Sequence, residues 1–326
     1  MKKRRPRPST TKIGGNSVSM KKFISSFPCV VLLLGAVAVF GQPEVIIQHR
    51  INPHSQSPIH TAYAPATGGT AATSPLIYHG GPLIETPAVY IIWYGNWNRN
   101  NGTDTPAGQQ IIREWAQNIG GSPYFQINVS KSVTNYSISG GVAWGGETTD
   151  TGTKTRLGDR DIQSIVNNSI NSGRLPYDAN GVYFVVTSSN VTETSGFCTR
   201  YCGWHTYGNL SRGRVRYSFV GNAARCLSAC SAQSISPNGN PGIDGAISVL
   251  SHELEEATTD PDLNAWYDSS GAEDADKCAW TFGHSQYQVS NGSWANMRLG
   301  TRDFLIQRNL YNNGGNWFCQ IDTVRN

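Results

Sequence analysis

The chain has 326 residues, 38% of them hydrophobic, and a formal net charge of +4. Eight of its 26 Lys and Arg residues lie within residues 1–22 and no acidic residue precedes Glu44, so beyond that segment 18 basic residues face 22 acidic ones, a balance of about −4. The basic total therefore gives no support to a nucleic-acid surface, and no run of eighteen apolar residues follows to suggest a membrane span.

Residues 1–41 read as an export leader. A basic segment precedes the apolar run Cys29–Phe40, which is too short to span a bilayer, and small residues around Gly41 suit cleavage before Gln42. Met20 opens a more ordinary leader of its own and is an alternative start. From Gln42 to residue 76 the chain is rich in Pro, Ser, Thr, Ala and Gly without helical or strand periodicity, and reads as a disordered linker. Its histidines, His49, His54 and His60, are irregularly spaced and give no metal signature.

Residues 77–326 are expected to form one globular domain. Ala88–Tyr94 is a continuous β-branched and aromatic run, the pattern of a strand covered on both faces, and Gly181–Ser188 is a second. Thr105-Pro106 supplies a cap and first-turn proline for a helix through Ile119, and Asp159 or Asp161 opens another through Ile170. Interleaved strands and helices give an α/β class, expected as a single zincin-like layered domain with a mixed sheet. The cysteine-rich stretch from Phe197 to Ser236 is expected to be loop-dominated around a strand at Arg216–Val220. A third helix follows over Ile243–Thr258, with Ile243, Ile247, Leu250, Leu254 and Ala257 in one stripe.

Six cysteines follow the leader: Cys198, Cys202, Cys226, Cys230, Cys278 and Cys319. An even number in an exported chain suits three disulfides better than a thiolate metal site. The simplest pairing is Cys198–Cys202, Cys226–Cys230 and Cys278–Cys319, one of fifteen connectivities. N-x-S/T sequons stand at Asn101, Asn128, Asn135, Asn167, Asn190, Asn209 and Asn291.

The third helix carries the chemistry. His252-Glu253-Leu254-Glu255-Glu256 is an H-E-x-x-E arrangement, and residues four apart stand on one helix face, here opposite the apolar stripe. It is similar to the H-E-x-x-H helix of zinc metallopeptidases, in which the outer residues bind zinc and the intervening Glu acts as general base. A carboxylate in place of the second imidazole is a legitimate zinc ligand but weakens the metal as a Lewis acid. The expected zinc site is thus His252, Glu256 and Asp276, with Glu253 as catalytic base, acting on a peptide or a cell-wall polymer. Glu273 and Asp262 compete with Asp276 as third ligand, and His205, in the cysteine-framed C-G-W-H-T-Y, is a further ligand or proton donor. The competing expectation is a non-catalytic extracellular protein that binds wall glycans or a surface partner and uses the acidic helix face only for solubility. No G-x-S-x-G identifies a nucleophilic serine.

Longer strings carry a resemblance. Y-H-G-G-P (Tyr78–Pro82), I-I-W-Y-G-N-W (Ile91–Trp97), F-C-T-R-Y-C-G-W-H (Phe197–His205), F-V-G-N (Phe219–Asn222), the run Pro237–Pro261 and N-A-W-Y (Asn264–Tyr267) make the chain resemble the phosphate-induced protein 1 family, which includes the plant EXORDIUM and EXORDIUM-like proteins. The resemblance implies a secreted cell-wall or apoplast protein associated with growth, without an established catalytic activity. The chain departs from plant members at Asp260 and Asp262, where they tend to carry Asn and an apolar residue.

Overall fold

The computed structural model describes residues 47–50 and 75–323; the leader and most of the expected linker lie outside them. In chain order the first elements are β1 (Ile47–Arg50), β2 (Ile77–Tyr78), β3 (Ala88–Tyr94), helix α1 (Pro106–Asn118), β4 (Ala143–Asp150), β5 (Arg156–Leu157), α2 (Asp159–Asn171) and β6 (Gly181–Thr187). They are followed by β7 (Thr192–Glu193), β8 (Tyr201–Leu210), β9 (Gly213–Gly221), α3 (Leu227–Cys230) and α4 (Pro241–Thr259). The order in the main sheet is β1-β8-β9-β6-β3-β4, with β9, β6, β3 and β4 parallel and β8 and β1 antiparallel at the edge. This is the mixed sheet of the expected α/β class.

The central strands are where their apolar runs place them. All seven residues of β3 and all seven of β6 are buried, and the two pair in register from Ala88 against Gly181 to Tyr94 against Thr187. The Thr105 hydroxyl accepts a hydrogen bond from the Gly108 amide at 3.0 Å, Pro106 fills the first turn of α1, and Ile111, Ile112 and Trp115 face the core. Helix α2 starts at Asp159, and Asp161 reaches back to accept from the Gly158 amide at 2.7 Å. Helices α1 and α4 share one face of the sheet, joined by Trp115 donating to Ser251 at 2.9 Å. Helix α2 covers the other face, where Gln163 meets Tyr217.

Two expectations are corrected. The cysteine-rich stretch is built around a hairpin, β8 and β9, closed by Ser211-Arg212, and not around a lone strand. The disulfides are Cys198–Cys226, Cys202–Cys230 and Cys278–Cys319, so only the last of the simplest pairing stands. Cys226 and Cys230 lie one turn apart where α3 begins, and residues so spaced project side by side towards the same neighbour. Their sulfurs are 3.6 Å apart and each bonds outward, making two rungs between α3 and the start of β8. Within the segment expected to be a linker, Ile47–Arg50 pairs with β8 as an edge strand. No helix among the described residues is long and apolar enough to cross a membrane.

Candidate metal centre

Helix α4 begins on the Asn240 cap with Pro241 in its first turn and stops at Asp260, before Pro261. The sequence places His252 and Glu256 on a face away from the core, but every residue from Gly242 to Thr259 is buried. The chain after the helix causes this by folding back over the polar face. Gln307 bonds Ser248, Asn309 bonds Glu255, and the Asp276 amide donates to Glu256 Oε1 at 3.1 Å. On the other side β8 packs against the helix. Gly203 makes room, since a Cβ there would stand 2.6 Å from Val249 and 3.2 Å from Glu253 Oε1. Two residues on, on the same strand face, His205 points at the helix.

The groups that meet are His205, His252, Glu253, Glu256 and Glu273, none more than 1% exposed, with Asp276 at the margin, its side chain 18% exposed. His205 Nδ1 lies 3.3 Å from Glu253 Oε2 and 3.5 Å from Glu256 Oε2, and its Nε2 lies 3.6 Å from Glu273 Oε1. His252 Nε2 lies 2.9 Å from Glu256 Oε1 and 3.7 Å from Asp276 Oδ1. Only the His252–Glu256 separation is that of a charge-assisted hydrogen bond. The His205 Nδ1 separations from Glu253 and Glu256 match the edge of a coordination tetrahedron, about 3.3–3.6 Å for ligand bonds of 2.0–2.2 Å, whereas Glu273 meets the other nitrogen of the same ring and the Asp276 separation is longer. Two groups of potential ligand atoms, each within 4.8 Å of one another, emerge: His205, Glu256, Glu273 and His252, Glu253, Glu256. Glu256 belongs to both.

The electrostatics describe a site short of positive charge. Burial alone would lower His205, but Glu253 and Glu256 override it and hold its pKa at about 10; His252 is likewise raised well above its usual range, chiefly by Glu256. Burial raises Glu253 to about 7 and Asp260 to about 6. It raises Glu273 further, with Glu256 and Asp260 adding to the shift, and raises Asp276 too. Glu256 alone is pushed down, because His252 and His205 outweigh its burial. Buried and without a hydrogen-bond partner are Glu253 Oε1, Glu256 Oε2, both carboxylate oxygens of Glu273 and His205 Nε2. Orphaned donors and acceptors at this depth cost about 1–3 kcal/mol each, and a divalent cation is a partner that several of them share. Imidazole nitrogens with carboxylate oxygens are a donor set that zinc accepts.

Of the expected residues, His252, Glu253, Glu256 and Asp276 are all drawn together, and Glu273 is nearer to His205 than to His252. Asp262 is elsewhere: it receives Arg214 at 2.7 Å and Arg216 at 2.9 Å, so its spacing from His252 carries no ligand role. Asp260, whose Oδ1 accepts the amides of Asn264 and Ala265 at 2.6 Å each, borders the cluster without a sequence signal of its own. A second buried network flanks it, in which Lys131 meets Asp274 at 2.7 Å and Asn128 at 3.1 Å.

Comparison with known proteins agrees with the motifs. EXORDIUM-like 5 of Arabidopsis thaliana is 30% identical over 227 residues, which are 59% of this chain and 59% of that protein. EXORDIUM-like 3 of the same plant is 31% identical over 245 residues, 64% of this chain and 69% of the relative. EXORDIUM itself is 25% identical over 248 residues, 65% and 75%. The chain thus spans about three-fifths of the length of EXORDIUM-like 5. No solved structure matches. The family model for the phosphate-induced protein 1 conserved region matches residues 76–301, a span containing β3 to β9, α4 and every residue of the candidate centre, and the chain belongs to that family.

Proposed function

We propose that this is a secreted, non-catalytic extracellular protein of the EXORDIUM type, in which His205, His252, Glu256 and Glu273 hold one zinc ion as a structural staple. The observation that carries the reading is the closure of the cluster: its imidazoles and glutamates are at most 1% exposed, and they come from β8, α4 and the loop after it. Structural zinc sites are closed, whereas catalytic ones keep a position open to water and substrate. A cation here ties three segments that are distant in sequence, and its binding energy adds to folding. Three disulfides suit the same oxidising compartment.

A zincin-like hydrolase acting on peptides or cell-wall polymers is the second reading. Two things favour it: the H-E-x-x-E helix, and Glu253, whose pKa of about 7 lies where a general base works best. It requires the segment carrying Glu273 and Asp276 to lift away and admit a substrate.

Thermal unfolding with and without metal separates the two. The staple raises the midpoint when zinc is restored to chelator-treated protein, with no cleavage of a peptide library or of wall polymers by either form. Zinc-dependent cleavage that Glu253→Gln removes supports the hydrolase. An unchanged midpoint contradicts the staple.

A further inference from the structure

At the opposite end of the sheet from the metal cluster lies a cleft of about 760 Å³. Its walls are the loops that leave the carboxyl ends of β3, β4 and β6, together with the first turn of α1. The chain leaves β3 through α1 to β4 on one side, then returns through α2 to β6 on the other. Such a reversal opens a crevice outside the carboxyl ends of the strands, the usual place for a ligand in open α/β sheets. Helix α4 runs the other way: its first turn is near this end, where Asn240 donates to the Thr103 carbonyl at 3.3 Å, and its last is near the start of β3, where Thr258 receives the Ile84 amide at 3.0 Å. The metal cluster therefore takes no part in the cleft.

The lining is chemically selective. None of its residues is charged, and Asn98, Gln109, Thr151, Thr153, Thr155 and Asn190 bring amides and hydroxyls to it. Trp97 forms the floor, edge-on to Trp93 at 5.0 Å between ring centroids and donating to the Tyr94 carbonyl at 3.3 Å. Beside the walls Arg99 pairs with Asp104 at 3.3 Å, Lys154 with Asp161 at 2.6 Å and Arg174 with Asp150 at 3.7 Å, while Arg156, next to Thr155 in the chain, is exposed and is not one of the lining residues. Glycine sets the shape. Gly95 has φ +93°, and a Cβ there would stand 2.3 Å from Ser188 Oγ; a Cβ on Gly152 would stand 2.6 Å from the Tyr94 ring. A phosphate or carboxylate ligand would find no cation among the lining residues. Many uncharged donors and acceptors around an aromatic floor suit a polyhydroxylated, uncharged molecule, and the volume is that of an ordinary small-ligand site.

We infer that this cleft binds a neutral glycan chain, an inference that rests on the extracellular, non-catalytic reading above and names what such a protein would hold. The glycan lies across the ends of β4, β3 and β6, with its hydroxyls on Asn98, Gln109 and the threonines of the loop after β4. Asn190, at the rim, heads a sequon, so the protein is made in a host without N-glycosylation to leave the cleft bare.

Full-length mature protein is titrated by calorimetry with the glucose, xylose and mannose β-1,4-linked hexasaccharides, with hexagalacturonate as the acidic counterpart and a Gly-Ser hexapeptide as the neutral peptide. At least one neutral hexasaccharide binds in preference to both controls. The pair Asn98→Ala and Gln109→Ala weakens it at least about tenfold, and Thr153→Trp, which fills the cleft, abolishes it in a protein with unchanged circular dichroism. No neutral saccharide binding, equal or better binding of the acid or the peptide, or binding that survives both sets of changes overturns the inference. Zinc content and saccharide cleavage are read on the same sample: binding without zinc sinks the staple and leaves the cleft, and cleavage of the bound saccharide sinks the non-catalytic reading.

Discussion

His205 Nδ1 stands 3.3 Å from Glu253 Oε2, although 48 residues separate them in the chain. One residue comes from an edge-side strand and the other from the helix packed on it, and Gly203 is what lets the two approach. Their meeting converts an H-E-x-x-E pattern on one helix into a three-dimensional cluster closed by Glu273. Ligand substitutions should therefore divide by position in space. His205→Ala and Glu273→Gln, neither on the helix, are expected to weaken zinc binding by more than about 100-fold, beyond what the loss of an outer-shell partner costs. Asp262→Asn, which touches only Arg214 and Arg216, should leave zinc affinity unchanged; competition with a chromophoric chelator reads all three.

The protonation of the cluster gives a pH prediction. In metal-free protein, the stability contributed by His205 is complete below its ordinary value of 6.5 and is lost as pH rises through about 10. Glu253 and Asp260, raised to about 7 and about 6, also favour the folded state at low pH and lose that contribution as pH rises through those values. Glu256, depressed, acts in the opposite sense only below the usual carboxylate range. Zinc replaces these protons, so its benefit should grow with pH. The rise in melting temperature on adding zinc is expected to be larger at pH 8 than at pH 5.5 in differential scanning fluorimetry. A rise that shrinks with pH would contradict the ligand assignment.

Gly203 has no room for a side chain. Gly203→Ala places a carbon 2.6 Å from Val249 Cγ1 and 2.9 Å from the Phe219 carbonyl, and overpacking of this kind costs about 1–3 kcal/mol. Chemical denaturation should show that loss, with weaker zinc binding because β8 is pushed from α4. A neutral outcome would mean that strand and helix are not in the contact described.

The cysteine ladder is checked by peptide mapping without reduction, which should recover Cys198 with Cys226 and Cys202 with Cys230. Replacing the pair Cys202 and Cys230 by Ala leaves Cys198–Cys226 to close the same stretch, so the loop released is only about ten residues and the expected cost is about 2–3 kcal/mol by the chain-entropy relation. Recovery of Cys198 with Cys202 would contradict the ladder.

Much of the framework was legible in the sequence because it is written in local signals. Fully apolar runs gave β3 and β6, and Thr105-Pro106 gave the start of α1, whereas α4 starts on Asn240-Pro241, two residues ahead of the apolar stripe that the spacing picks out. Strand β8 was not legible: both of its faces are buried, so apolar and polar residues do not alternate, and its glycines, placed for close approach, resemble a loop. The helix wheel found the apolar stripe of α4 but not the burial of the opposite face, which is imposed by Gln307, Asn309 and the Glu273–Asp276 loop, far along the chain. His252, Glu253 and Glu256 were visible through their spacing, and Asp276 and Glu273 as a nearby acidic pair. The engagement of His205 depends on strand pairing, and Asp262 misled because spacing alone cannot reveal Arg214 and Arg216.

The claim on which the rest depends is that the buried cluster holds a metal ion. Elemental analysis of the mature protein, purified without chelator and dialysed against zinc-free buffer, measures it most directly. The account predicts one equivalent of zinc per chain, lost in His205→Ala and in Glu256→Gln and kept in Asp262→Asn. Substoichiometric metal after incubation with zinc, or an equivalent that persists in both ligand variants, would contradict it.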